Sequence, residues 1–118
     1  MKKNIGIFTV ARSDYGILKN IIYGFSKIKN INTFLYIGSA HKSKIFGETK
    51  SEIGKINVKK RYYQNKYIQT STKSTIDYFS ETIKETGRLI SNDNLDAVII
   101  MGDRYEMLAA ASAALYSN

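Results

Sequence analysis

The sequence predicts an α/β fold, a Rossmann-like parallel sheet with helices on both faces. Three observations carry that expectation. Short, β-branched apolar runs alternate with longer segments whose apolar residues recur at helical spacing. The order that results is β-α-β-(α)-β-α-β-α, which is how a parallel sheet is strung together. Finally, the 118 residues hold no internal repeat, low-complexity stretch or linker, so residues 1–118 form one domain at most.

Residues 4–10 are apolar and β-branched and suit a strand buried on both faces. The run ends at Ala11-Arg12-Ser13-Asp14, where Ser13 or Asp14 can cap the next helix. In that helix Ile17, Leu18, Ile21, Ile22, Phe25 and Ile28 form a stripe facing the core, and Lys27, Lys29 and Asn30 close it. Residues 33–38 read as a second strand, 39–44 as polar loop and 46–54 as a short helix. Residues 57–63 read as a third strand. Ser71 or Thr72 then caps a long helix with a buried stripe of Ile76, Phe79, Ile83 and Ile90, and Gly87 within it marks close packing. Residues 95–101, Leu-Asp-Ala-Val-Ile-Ile-Met, are the best strand in the chain, and from Asp103 to about residue 116 an Ala- and Leu-rich helix follows. A sheet of this kind uses such a helix to return to another strand, so the architecture predicts a truncated domain.

Composition narrows the functional classes. Hydrophobic residues at 43% and charged residues at 24% are those of a soluble globular protein. No apolar run approaches the roughly 20 residues needed to cross a bilayer. The start does not read as a signal peptide, and a cytoplasmic location is expected. Without cysteine there is no disulfide and no thiolate metal site. The net charge of +8 comes mostly from lysines spread along the chain. Their one concentration is Lys55, Lys59, Lys60, Arg61 and Lys66, interleaved with Tyr62, Tyr63 and Tyr67. Such a patch can grip single-stranded RNA. A lysine-bearing edge strand, protected from aggregation by its charge, is the favoured explanation, so no nucleic-acid partner is expected.

Ligands of open α/β sheets bind outside the carboxyl ends of the strands. Two corners there carry chemistry. In Gly102-Asp103-Arg104-Tyr105-Glu106, the glycine permits a sharp turn and a close ligand approach. Asp103 would project into the crevice as an acid or base, and Arg104 offers a forked donor suited to a diphosphate. The spacing from Asp103 to Glu106 is equally that of a capping box, so Asp103 fits both roles, while Glu106 is explained as a first-turn carboxylate facing the helix dipole. At the other corner Arg12 adjoins a helix N-terminus, an arrangement that favours anions but also describes an ordinary surface arginine. No G-x-G-x-x-G follows the first strand, which argues against a nicotinamide enzyme. His41, the only histidine, lies in the loop after the second strand and cannot make a metal site alone. The hydroxyls have no partner that would make a nucleophilic triad.

Three blocks in order, residues 9–18 (Thr-Val-Ala-Arg-Ser-Asp-Tyr-Gly-Ile-Leu), Gly38-Ser-Ala-His41 with Phe46-Gly-Glu-Thr49, and residues 101–109 (Met-Gly-Asp-Arg-Tyr-Glu-Met-Leu-Ala), resemble the hydrolysing UDP-N-acetylglucosamine 2-epimerases, in particular the branch that feeds sialic-acid-type sugars. The resemblance implies the N-terminal domain of a two-domain GT-B enzyme whose cleft lies between the domains, with the C-terminal nucleotide-binding domain absent from this chain. It implies release of UDP by elimination, a glycal intermediate, and addition of water to give N-acetylmannosamine, with neither metal nor nicotinamide. On the match Asp103 falls on a carboxylate implicated in acid–base work. Arg12 falls on a nucleotide contact, Arg104 on a further substrate contact with Gly102 beside it, and His41 on a histidine near the sugar. A full-length parent of this kind would be a homo-oligomer acting on a UDP-sugar, with no membrane partner. Met101 stands where many relatives have histidine, and the His-Gly-Gly-Glu-like segment with a second catalytic carboxylate is absent. Related enzymes act on a diacetylated bacillosamine nucleotide, and a glycosyltransferase of the same architecture would bind UDP-sugar at the same crevice.

Overall fold

The computed structural model describes residues 1–38, 47–63 and 72–117, without the side chains of Arg12 and of residues 47–50 and 72–73. Its elements are β1 (Lys3–Thr9), α1 (Arg12–Ser26), β2 (Ile31–Ile37), α2 (Gly47–Lys55), β3 (Lys59–Tyr62), α3 (Thr72–Asn92), β4 (Ala97–Ile99) and α4 (Tyr105–Leu115). The strands form one sheet in the order β3-β2-β1-β4, with every pairing parallel. Thus the expected α/β fold with helices on both faces is present, and β3 lies at an edge.

The two faces follow from the period-2 alternation of strand side chains. Phe8, Val10, Phe34 and Tyr36 pack with Leu89 and Ile90 of α3 and Met107, Ala110 and Ala113 of α4. Ile7, Leu35 and Ile37 point the other way, onto Tyr15, Leu18 and Ile22 of α1 and Ile53 of α2. A methyl at Gly6, in the centre of β1, would lie 2.4 Å from Leu95 Cδ1 and 2.9 Å from the Tyr36 ring, so a larger residue there would force both to shift. Gly87 is not a place of specially close packing: a methyl there would meet Ala113 at 3.8 Å, an ordinary contact with α4.

Several local expectations are corrected. Neither Ser13 nor Asp14 is the N-cap of α1; that position is Ala11, and Asp14 sits three residues further in. Ile17, Ile21 and Ile28 of the expected α1 stripe are exposed, leaving Leu18 and Ile22 buried and Phe25 partly so. Ile76 of α3 is likewise exposed, while Thr82, Thr86 and Leu89 take interior places beside Ile90. The threonines enter because their hydroxyls donate to the carbonyls of Tyr78 and Thr82, four residues back. Thr72 opens α3, and Ser71 lies outside the described residues. The fourth strand is shorter than the apolar run that predicts it, and the last helix begins at Tyr105 rather than Asp103.

At the amino end of the sheet, Asp93 ties three elements together. It accepts hydrogen bonds from the Tyr36 hydroxyl at 2.7 Å and from Arg61 Nε and Nη2 at 3.2 and 2.9 Å. Burial works to raise its carboxyl pKa, but the bonds from Arg61 and Tyr36 outweigh that and hold it below the usual range. Tyr36 moves upward, through burial first and then its bond to Asp93.

The basic patch is largely absorbed by this framework. Lys60 donates to the Ile56 carbonyl at 2.7 Å, and Arg61 is held by Asp93. Tyr63 is buried edge-on to Phe8, with ring centroids 6.1 Å apart, and so cannot stack on a base. Lys66 and Tyr67 lie outside the described residues.

Candidate active site

The sheet order puts β1 between β2 and β4, so the turns that leave β1 and β4 lie side by side. Ile7 is level with Ile99, and Thr9 with Ile37. Beyond the strand ends, the Gly38 N–H donates to the Thr9 carbonyl at 2.9 Å and the Tyr63 N–H to the Ile37 carbonyl at 3.1 Å. After β1 the chain crosses onto the α1 face; after β4 it crosses onto the opposite face with α4. The connections diverge between β1 and β4, and that topological switch point is where such sheets open a crevice. Its two rims are residues 10–15 and 101–106.

The β1 rim is shaped by Asp14. Its carboxylate accepts the Thr9 hydroxyl, the Val10 N–H at 3.2 Å and the Ala11 N–H at 2.9 Å. Buried against the turn, it neutralises backbone donors that would otherwise go unpaired. Arg12 follows directly as the first residue of α1, where free N–H groups and the helix dipole favour an anion. The sequence singles out Asp14 only as a cap; its grip on the end of β1 depends on the Thr9 hydroxyl pointing to the α1 face.

The β4 rim turns at Gly102, whose φ of +98° lies in the left-handed region that only glycine adopts cheaply. Asp103 comes next and is exposed. It has no hydrogen bond or ion pair among the described residues. Because Arg104 is the N-cap, in extended conformation with φ −70° and ψ 152°, the capping box between Asp103 and Glu106 does not form. This removes the structural explanation for Asp103 and leaves its carboxylate open to solvent at the rim.

Glu106 is not explained by a cap either. It is 4% exposed, and it accepts the Tyr78 hydroxyl of α3 at 2.8 Å while its other oxygen pairs with Arg104 Nε at 3.5 Å. The Tyr63 hydroxyl is also buried, without a hydrogen-bond partner among the described residues. Burial foremost, then the charges of Glu106, Tyr78 and Asp14, pushes that phenol well above its ordinary pKa. Sequence reasoning missed Tyr78 and Tyr63 because nine tyrosines offer no way to choose among them.

Of the five residues expected at the site, Gly102, Asp103 and Arg104 share one rim, and the backbone of Arg12 begins the other. His41 lies outside the described residues. Among the described residues no group of three or more metal-ligating side chains occurs, and no helix is long and apolar enough to cross a membrane.

A family model described as UDP-N-acetylglucosamine 2-epimerase matches residues 25–118. A UDP-N-acetylglucosamine 2-epimerase of Neisseria meningitidis serogroup B is 28% identical over 116 residues, 98% of this chain and 30% of the relative. The polysialic acid biosynthesis protein P7 of Escherichia coli is 28% identical over 117 residues, again 98% of this chain and 30% of that protein. The chain therefore spans about a third or less of the length of these relatives. Among solved structures, the UDP-GlcNAc 2-epimerase of Neisseria meningitidis bound to UDP-GlcNAc superposes with a TM-score of 0.72 at 17% identity, over 97% of this chain and 29% of that one. The residues matched by the family model include the Gly102 corner. The chain belongs to the UDP-N-acetylglucosamine 2-epimerase family.

Proposed function

We propose that this chain is the N-terminal part of a cytoplasmic UDP-N-acetylglucosamine 2-epimerase of the hydrolysing type, which forms UDP and N-acetylmannosamine for sialic-acid-type sugars. The observation that carries the reading is the pairing of an exposed Asp103, unpartnered among the described residues, with Arg104 on the Gly102 turn, across the switch point from Arg12. The polysialic acid relative supports the sugar class, and the structure bound to UDP-GlcNAc supports the ligand.

In this reading a base removes the proton from sugar C2 as the bond from C1 to the UDP oxygen breaks, leaving a C1=C2 double bond. Water then adds its oxygen to C1 while a proton returns to C2 on the opposite face. Arg12 and Arg104 offset the charge that grows on the departing diphosphate, an interaction strongest in the transition state. Asp103 exchanges a proton at C2 or with the attacking water. His41 and Gly102 contact the sugar end of the substrate. The remaining catalytic groups come from the second domain and from the other side of the cleft, in a homo-oligomeric parent.

The test is turnover of UDP-N-acetylglucosamine by the full-length enzyme in deuterium oxide. The expected product is free N-acetylmannosamine carrying deuterium at C2, released with UDP. A product that keeps its original C2 hydrogen excludes the elimination, and transfer of the sugar to an acceptor instead of water identifies a glycosyltransferase.

A further inference from the structure

We propose that Glu106 is a positioning residue that aims Arg104 at the diphosphate, an assignment that rests on the reading of Arg104 as a nucleotide contact. Three features of the β4 rim carry it. The Glu106 carboxylate is interior, whereas the side chain of its partner Arg104 is 45% exposed. One carboxylate oxygen is anchored to α3 by the Tyr78 hydroxyl, so the acid cannot follow the arginine outward. The other oxygen meets Arg104 at Nε, 3.5 Å away. Among the described residues the terminal guanidinium nitrogens have no partner, and they form the fork that suits two phosphate oxygens.

A buried carboxylate needs a cationic partner more than a helix end needs one more acid. Glu106 also stands in the first turn of α4, where the helix dipole already favours a negative charge. The ion pair is therefore not required to stabilise the helix start; what it determines is where the guanidinium points. An arginine at the mouth of a crevice, free to rotate, would lose side-chain entropy when it gripped a ligand. Paired at Nε, Arg104 has given up part of that freedom in advance.

The experiment is calorimetric titration of the full-length enzyme with UDP, comparing wild type, Glu106→Gln, Arg104→Ala and the double variant. Glutamine keeps an oxygen for Tyr78 and nearly the same volume, and it removes the charge and the acceptor that face Arg104. Glu106→Gln should weaken UDP about three- to tenfold, and the double variant should bind no more weakly than Arg104→Ala alone, since the loss acts through Arg104. Unchanged or tighter binding by Glu106→Gln, or losses that simply add, would overturn the inference while leaving the epimerase reading in place. If wild type binds UDP and Arg104→Ala binds it equally well, the role of Arg104 and this inference fall together. Failure of wild type to bind UDP would sink the nucleotide-sugar reading itself. Should Glu106→Gln not fold, Arg104→Lys decides: lysine has no Nε to pair with Glu106 while a separate fork meets the phosphate, so it should lose about as much affinity as Arg104→Ala. Wild-type affinity in that variant would contradict the proposal.

Discussion

At the scale of single residues, the Gly102 turn sets what its neighbours can do. With φ at +98° and no atom within 4 Å of a Cβ placed there, its constraint is purely one of backbone conformation. Gly102→Ala should therefore cost about 1 kcal/mol of stability with no clash to relieve, measurable as a lowered midpoint in urea. Gly102, Asp103 and Arg104 were legible in the sequence because an apolar run broke directly into glycine, acid and arginine. The division of labour between the two acids was not. A helix that starts at Asp103 makes Glu106 its capping partner; a helix that starts two residues later frees Asp103 and turns Glu106 inward to Tyr78. That shift depends on α3 passing close enough to offer a phenol, which no local pattern encodes.

At the scale of elements, strand existence and order of types were readable, since buried parallel strands are nearly uninterrupted apolar runs. Helix faces were less so. The apolar stripe of α1 is wider than its contact with the sheet, so only the line of Leu18 and Ile22 is sealed and Ile17 and Ile21 remain outside. In α3 the buried line runs through threonines, which no hydrophobic pattern would choose. The long-range triad of Tyr36, Asp93 and Arg61 was also invisible, because its members are far apart in the chain. It makes a specific prediction about acid. Asp93 is held below its unfolded pKa, so its contribution to stability is complete above about pH 4 and is lost as pH falls through the depressed folded value. Urea unfolding between roughly pH 5 and pH 2 should show that loss, and Asp93→Asn should flatten this part of the profile. Asp93→Ala, which strands a buried phenol and an arginine, should cost about 1–3 kcal/mol at neutral pH.

At the scale of the whole molecule, the described part of the basic concentration has a structural role, and the sheet order sets where the strand-end corners lie. Lysines of the β3 edge and Arg61 are spent on carbonyls, on Asp93 and on shielding an exposed strand, while Tyr63 is part of the core. The sheet order, in contrast, sets the turns that follow β1 and β4 side by side. Only the loops after β1 and β4 flank the switch point, and they carry Arg12 and the Gly102 to Arg104 rim. On the proposal that the catalytic cleft needs a second domain, these 118 residues alone should show no turnover of UDP-N-acetylglucosamine. Release of N-acetylmannosamine by the purified chain would refute that division. The account as a whole turns on Asp103, whose carboxylate is exposed and has no structural partner among the described residues. The decisive measurement is kcat for Asp103→Asn in the full-length enzyme, with its thermal midpoint recorded alongside. Asparagine should leave the fold and the midpoint essentially unchanged while lowering kcat by about 10²- to 10⁴-fold, the usual contribution of a positioned acid or base. A near-normal kcat would contradict the account and return the Gly102 corner to a structural role.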